Sequence, residues 1–123
     1  MTSVLNEIVV DCRDAETQAA WWSRVLEWPA AHDDDGFWWI SSDGTENAAL
    51  ALGFISVPEG KTVKNRLHLD LNPSGCEQPD ELERLLSLGA RYRDIGQGPD
   101  VSWVVLEDPE GNEFCLLRTR KDL

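Results

Sequence analysis

Arg66-Leu67-His68-Leu69-Asp70-Leu71 alternates polar and apolar residues without a fault, the period-two signature of a strand with one packed face. Leu67, Leu69 and Leu71 are expected to face the packed layer, while Arg66, His68 and Asp70 share the other side. Downstream, Pro79 sits where a first helical residue would, Leu82, Leu85, Leu86 and Leu88 form an apolar stripe, and Gly89 is placed to end the helix. A glycine-rich turn, Gly96-Gln97-Gly98-Pro99, then leads to a strand at Val101–Leu106, the tight turn Asp108-Pro109-Glu110-Gly111-Asn112 and a last strand from Glu113 to Arg118. Upstream the same order is found. Leu5–Cys12 alternates, with Ile8, Val10 and Cys12 on one face and Glu7, Val9 and Asp11 on the other. Asp14 is placed to cap a helix carrying Ala15, Ala19, Trp22 and Leu26, which stops at Pro29. Phe37–Ser41 reads as a strand closed by Asp43-Gly44, and Ala48–Val57 as one strand, or two with a break near Gly53. Trp38 and Trp103 stand at matching distances before Asp43 and Asp108.

A repeat of about 60 residues, each half too small to fold alone, predicts an α+β fold. Two βαβββ modules would form a curved, partly closed mixed β-sheet barrel with the helices outside. Residues 1–123 make one domain in this reading, with module one at about 4–58 and module two at about 64–119. Function is then expected on the concave side.

The hydrophobic content of 41% and charged content of 28% are those of a globular chain. The longest apolar stretch, Ala48–Val57, is too short to cross a membrane as a helix. The first residues carry no basic segment followed by an apolar one, so the cytoplasm is the expected location. A net charge of −12 repels phosphate backbones and argues against nucleic acid. Cys12, Cys76 and Cys115 are odd in number, without a CxxC pair, and are expected as reduced thiols. Six of the ten aromatic residues are tryptophan, a residue that fills cores and also walls pockets for planar ligands.

His68–Leu71 (HLDL) and Trp103–Leu117 (WVVLEDPEGNEFCLL), set in this duplicated unit, resemble the glyoxalase, bleomycin-resistance and ring-cleaving dioxygenase superfamily, the vicinal oxygen chelate fold, over nearly the whole chain. Lys61–Leu71 (KTVKNRLHLDL) and the helix with Trp22 and Trp28 resemble its actinobacterial-type glyoxalase-like branch. In metal-dependent members each module supplies one ligand from its first strand and one from its last. The resemblance places the first-strand positions on Glu7 and His68, the last-strand position of module two on Cys115 and that of module one near Ile55, within a register of two residues. Ala48–Val57 contains no carboxylate, imidazole or thiol, so module one lacks its second ligand in any register. Glu7, His68 and Cys115 would make a mixed set closer to zinc chemistry than to a hard octahedral site. No cofactor is therefore expected, with a divalent metal on those three residues as the alternative.

Two functions fit. In the first, His68, Glu7 and Asp70 act as acid and base in lyase- or isomerase-type chemistry next to a carbonyl, distinct from glutathione-dependent glyoxalase I. Arg66, Trp38, Trp39, Trp103, Ile55 and Cys115 would then line the substrate. In the second, a non-enzymatic protein of the bleomycin-resistance type sequesters a planar metabolite or antibiotic by stacking on Trp38, Trp39 and Trp103. An interaction module with its hollow plugged by indoles is a third reading. More plainly, His68 is a structural imidazole bridging Asp70 or Glu7, and Cys115 a small buried apolar residue. Lys61, Lys64 and Arg66 either hold a carboxylate or phosphate or form a solvated hairpin. His32–Asp35 reads as a solvated turn, lacking the ligand spacing of a calcium loop. The resemblance also implies a homodimer, with Trp21 or Trp22 at its interface.

Overall fold

In the computed structural model, which describes residues 1–45, 48–96 and 101–120, the chain divides into two compact units, Met1–Gly60 and Lys61–Leu123. The first contains β1 (Ile8–Cys12), α1 (Ala15–Leu26), β2 (Ala30–His32), β3 (Trp38–Ser41) and β4 (Ala51–Ser56). The second contains β5 (Leu69–Leu71), α2 (Gln78–Ser87), β6 (Arg91–Tyr92), β7 (Val104–Glu107) and β8 (Glu113–Leu116). Strand orders β1-β4-β3-β2 and β5-β8-β7-β6 are one order used twice. In both sheets the first and last strands pair in parallel and the other pairs are antiparallel. The fold is thus α+β, two four-stranded mixed sheets with two helices.

The structure shortens several expected elements. β1 begins at Ile8, leaving Leu5 78% exposed. β5 keeps only Leu69–Leu71, and Leu67 is 82% exposed instead of facing a packed layer. The cause lies just upstream, where the Asn65 backbone N–H donates to Glu113 Oε2 at 3.0 Å and draws the chain off the ladder. β4 runs unbroken through Gly53. β7 starts at Val104 instead of Val101 and β8 ends at Leu116 instead of Arg118. β2 and β6 have three and two residues, too few for a period to register. Of the glycine-rich turn, Gln97–Pro99 lies outside the described residues.

In module one, Asp14 caps α1, accepting from the Thr17 backbone N–H at 3.1 Å and the Thr17 hydroxyl at 2.8 Å. Ala15, Ala19 and Trp22 are buried as the periodicity requires, whereas Val25 takes the last core position in place of Leu26, which is half-buried. Trp21 is buried too, edge to face on Trp22 with centroids 5.1 Å apart, so neither indole is left for the dimer contact expected of one of them. Helix α1 packs on β3 and β4, whose Ile40 and Phe54 are fully buried. Cross-strand partners share a face, so Val9, Gly53 and Trp39 form one row on the other side of the sheet. A Cβ on Gly53 would stand 2.6 Å from Phe37 Cζ and 3.1 Å from Glu7 Oε2. Glycine is needed there because ring and carboxylate use the space.

Module two centres on Leu85, Leu106, Phe114 and Leu116, all at or below 1% exposure. The Asp108–Asn112 turn is tied by Asp108 Oδ1, which accepts from the backbone N–H groups of Glu110 and Asn112, both at 2.9 Å, and Gly111 takes φ +87. Asn112 Oδ1 accepts from Asn65 Nδ2 at 3.1 Å. Beside it, Lys61 Nζ pairs with Glu113 Oε1 at 2.9 Å, with side chains 15% and 1% exposed. Lys61 is therefore a half-buried structural cation engaged by Glu113, not a solvated charge. Burial pushes the Glu113 carboxyl up, but hydrogen bonds from Lys61 and the Asn65 N–H, with the Lys61 charge, outweigh it and hold Glu113 below the ordinary glutamate value.

Two outcomes follow from these contacts. Gly53→Ala should destabilise the protein by about 1–3 kcal/mol in urea unfolding, because Phe37 must leave its place. Lys61→Met should cost about 3 kcal/mol at neutral pH by stranding a buried carboxylate. A carboxylate lowered in the fold is protonated first in the unfolded chain, so its stabilisation is complete above the unfolded value and is lost as pH falls through the folded one. The stability gap between the wild type and Glu113→Gln should accordingly close as pH drops below about 4.

Candidate functional site

A cavity of about 410 Å³ opens on the side of the first sheet that carries Glu7 and Trp39, a volume suited to a small organic molecule. Its walls are Phe37 and Trp39, whose rings are stacked with centroids 6.1 Å apart and planes at 26°. They stand two apart along one strand edge and so point the same way. Asp33 Oδ1 fixes the approach to Phe37, accepting from the Phe37 N–H at 3.0 Å and the Asp35 N–H at 2.9 Å. The rim includes Asn6, Thr45 and Ala51. Thr45 is tied to Asp43 through its hydroxyl at 2.7 Å and its N–H at 2.9 Å, which together hold the Asp43 carboxyl below its ordinary value. Among the described residues no cation or hydrogen-bond donor engages Glu7.

His68 stands immediately before β5, as Glu7 stands immediately before β1. Its Nε2 lies 3.2 Å from Lys64 Nζ. An ammonium only donates, so a hydrogen bond across this contact has Nε2 as its acceptor. The partner of His68 is thus Lys64, instead of the expected Asp70 or Glu7. Asp70 stands opposite Cys115 in register and accepts from its thiol. Burial, followed by the Asp70 charge and hydrogen bond, pushes the Cys115 thiol up, with Lys64 opposing. Trp103 precedes β7 and is 39% exposed; Arg66 is exposed on the loop.

Trp38 is separated from these groups. It pairs with Phe54 and His32 on the α1 side of the sheet, its ring 4.5 Å from the His32 ring. Ile55, 42% exposed, lies on the Glu7 side opposite Asp11. The registers also fix the equivalence within the expected margin of two residues. Ile8 faces Leu52 as Leu69 faces Phe114, so the counterpart of Cys115 is Gly53, two residues before Ile55.

The residues do not suit a four-ligand metal centre of the implied kind. One position is a glycine whose space Phe37 fills, another is a thiol held protonated, and the imidazole Nε2 is taken up by Lys64. Among the described residues no three His, Cys, Asp or Glu side chains converge. Sequence reading passed over Phe37, Asp33 and Gly53. Counting by two from Trp39 would have found Phe37, and a glycine inside a strand signals close approach as well as a break. Lys64 was legible only as part of a basic cluster.

The glyoxalase-like domain family model matches residues 7–117. The fold is similar to that of the fosfomycin resistance protein FosX from Listeria monocytogenes, solved with Mn(II) and 1S,2S-dihydroxypropylphosphonic acid, at 14% identity and a TM-score of 0.70, covering 99% of this chain and 94% of that one. FosX from Mesorhizobium loti gives 14% identity, a TM-score of 0.69 and coverages of 99% and 96%. The oxidase ChaP-H2 gives 17%, 0.61, 98% and 95%. Comparison with curated proteins returns no match. At such identities the structures share a fold, and the family model is what assigns the sequence: the chain belongs to the glyoxalase-like domain family, within the vicinal oxygen chelate superfamily.

Proposed function

We propose that this protein binds a small organic molecule against the Phe37–Trp39 wall of module one, with Glu7 as its polar anchor, and that binding needs no metal ion. The cavity of about 410 Å³ carries this reading, because its stacked rings and its carboxylate converge on one volume. The donor set supports metal independence, since Gly53 and the protonated Cys115 offer no anionic ligand where the family places one. Non-enzymatic sequestration of a planar metabolite or antibiotic is the form this takes. The partly closed barrel, the action of both modules as one domain, a homodimer and a cytoplasmic location belong to the same proposal; the repeated strand order supports the first two and the family resemblance the third.

Lyase- or isomerase-type catalysis is the second reading, favoured by the Lys64–His68 contact and the Cys115–Asp70 hydrogen bond. Lys64 would fix the His68 tautomer, and His68, Glu7 and Asp70 would hold or move the proton. Arg66, Trp103, Ile55 and Cys115 are its proposed substrate contacts.

Tryptophan fluorescence titrated with a panel of aromatic metabolites and antibiotics tests the first reading. A ligand should change the emission, Trp39→Ala should weaken its binding about tenfold or more, and dialysis against a chelator should leave Kd unchanged. Unaltered binding by Trp39→Ala would remove the cavity from consideration. Product formation from such a ligand, abolished by His68→Ala in a protein that still binds it, would select the second reading.

A further inference from the structure

Given the binding role proposed above, we infer that the ligand of the first-module cavity is an organic cation, a planar or aromatic group bearing an amidinium, guanidinium or ammonium. The cavity joins two kinds of surface that attract positive charge. The Phe37 and Trp39 rings, stacked on each other, both line it, and aromatic faces carry the negative side of a quadrupole. The Glu7 carboxylate lies on the same face, within contact range of the Gly53 backbone that Phe37 also approaches. An ionised carboxylate only accepts hydrogen bonds, so a group that satisfies Glu7 must bring N–H or O–H donors.

Charge distribution narrows the class. Met1–Gly60 holds eleven acidic residues against two arginines, a net −9, whereas Lys61–Leu123 holds twelve against nine, a net −3. Arg13 and Arg24, the two cations of the first unit, are not among the cavity-lining residues. Asp33 supplies a second carboxylate to the lining, one oxygen of which is engaged by backbone N–H groups. An anionic ligand would enter against this field, while a cation is drawn by it and desolvates over the aromatic wall. The ligand class is opposite in charge to the phosphonate held by FosX of Listeria monocytogenes.

Benzamidine, benzamide and benzoate are near-isosteric cation, neutral and anion probes. Each would be titrated into the full chain while the indole N–H resonance of Trp39, assigned with Trp39→Phe, is followed by NMR. Benzamidine should bind about tenfold or more tighter than benzamide, with benzoate weakest. Glu7→Gln should weaken benzamidine far more than benzamide and so remove most of the difference between them, and raising salt should weaken benzamidine alone. If benzamide or benzoate moves the Trp39 resonance at concentrations as low as benzamidine does, the cation assignment falls and the small-molecule cavity stands. If Glu7→Gln weakens benzamide equally, charge is not what selects and the assignment falls. If none of the three moves that resonance, the binding reading falls with it.

Discussion

Parallel pairing of the first and last strand within each module is the constraint from which the chemistry follows. It sets Val9 against Gly53 and Asp70 against Cys115, so the residue that begins each module is held beside the middle of the strand that ends it. Backbone geometry is repeated; side chains are not. In module one this juxtaposition brings Glu7, a glycine and an aromatic ring together around an open volume. In module two the equivalent place holds two pairs, Lys64 with His68 and Asp70 with Cys115.

The family fold therefore does not carry the family's metal chemistry into this chain by itself. Glycine at position 53 removes a donor and at the same time admits the Phe37 ring, two effects with one cause. Cys115 retains a sulfur atom, but burial and the neighbouring carboxylate keep its proton in place. What the first module gains is an aromatic surface with a carboxylate beside it that no described residue engages.

Much of the architecture was legible in the sequence because it is local. Asp14, Thr17 and the spacing of Ala15, Ala19 and Trp22 specify α1 within a few residues of chain, and the same strand and helix order recurs after Gly60. Departures arise where distant residues decide. Leu67 leaves the sheet although its alternation is faultless, since Asn65 is bound to a carboxylate 48 residues away. Lys61 resembles any loop lysine until Glu113, 52 residues on, is placed against it. The equivalence of Gly53 and Cys115 depends on ladder register, which alternation alone does not fix. Trp38 and Trp39, adjacent in sequence, were both expected against a ligand, but neighbours in a strand face opposite sides.

The Val57 N–H donates to the Cys12 carbonyl at 2.7 Å, the last ladder-like bond of the first unit, and Lys61 is already anchored to Glu113. Pro58, Glu59 and Gly60 between them are exposed and lie outside every strand. Changes of length in that tripeptide leave both internal registers intact, which marks it as a place for a gene encoding this chain to accept an inserted segment or to be divided for fragment complementation.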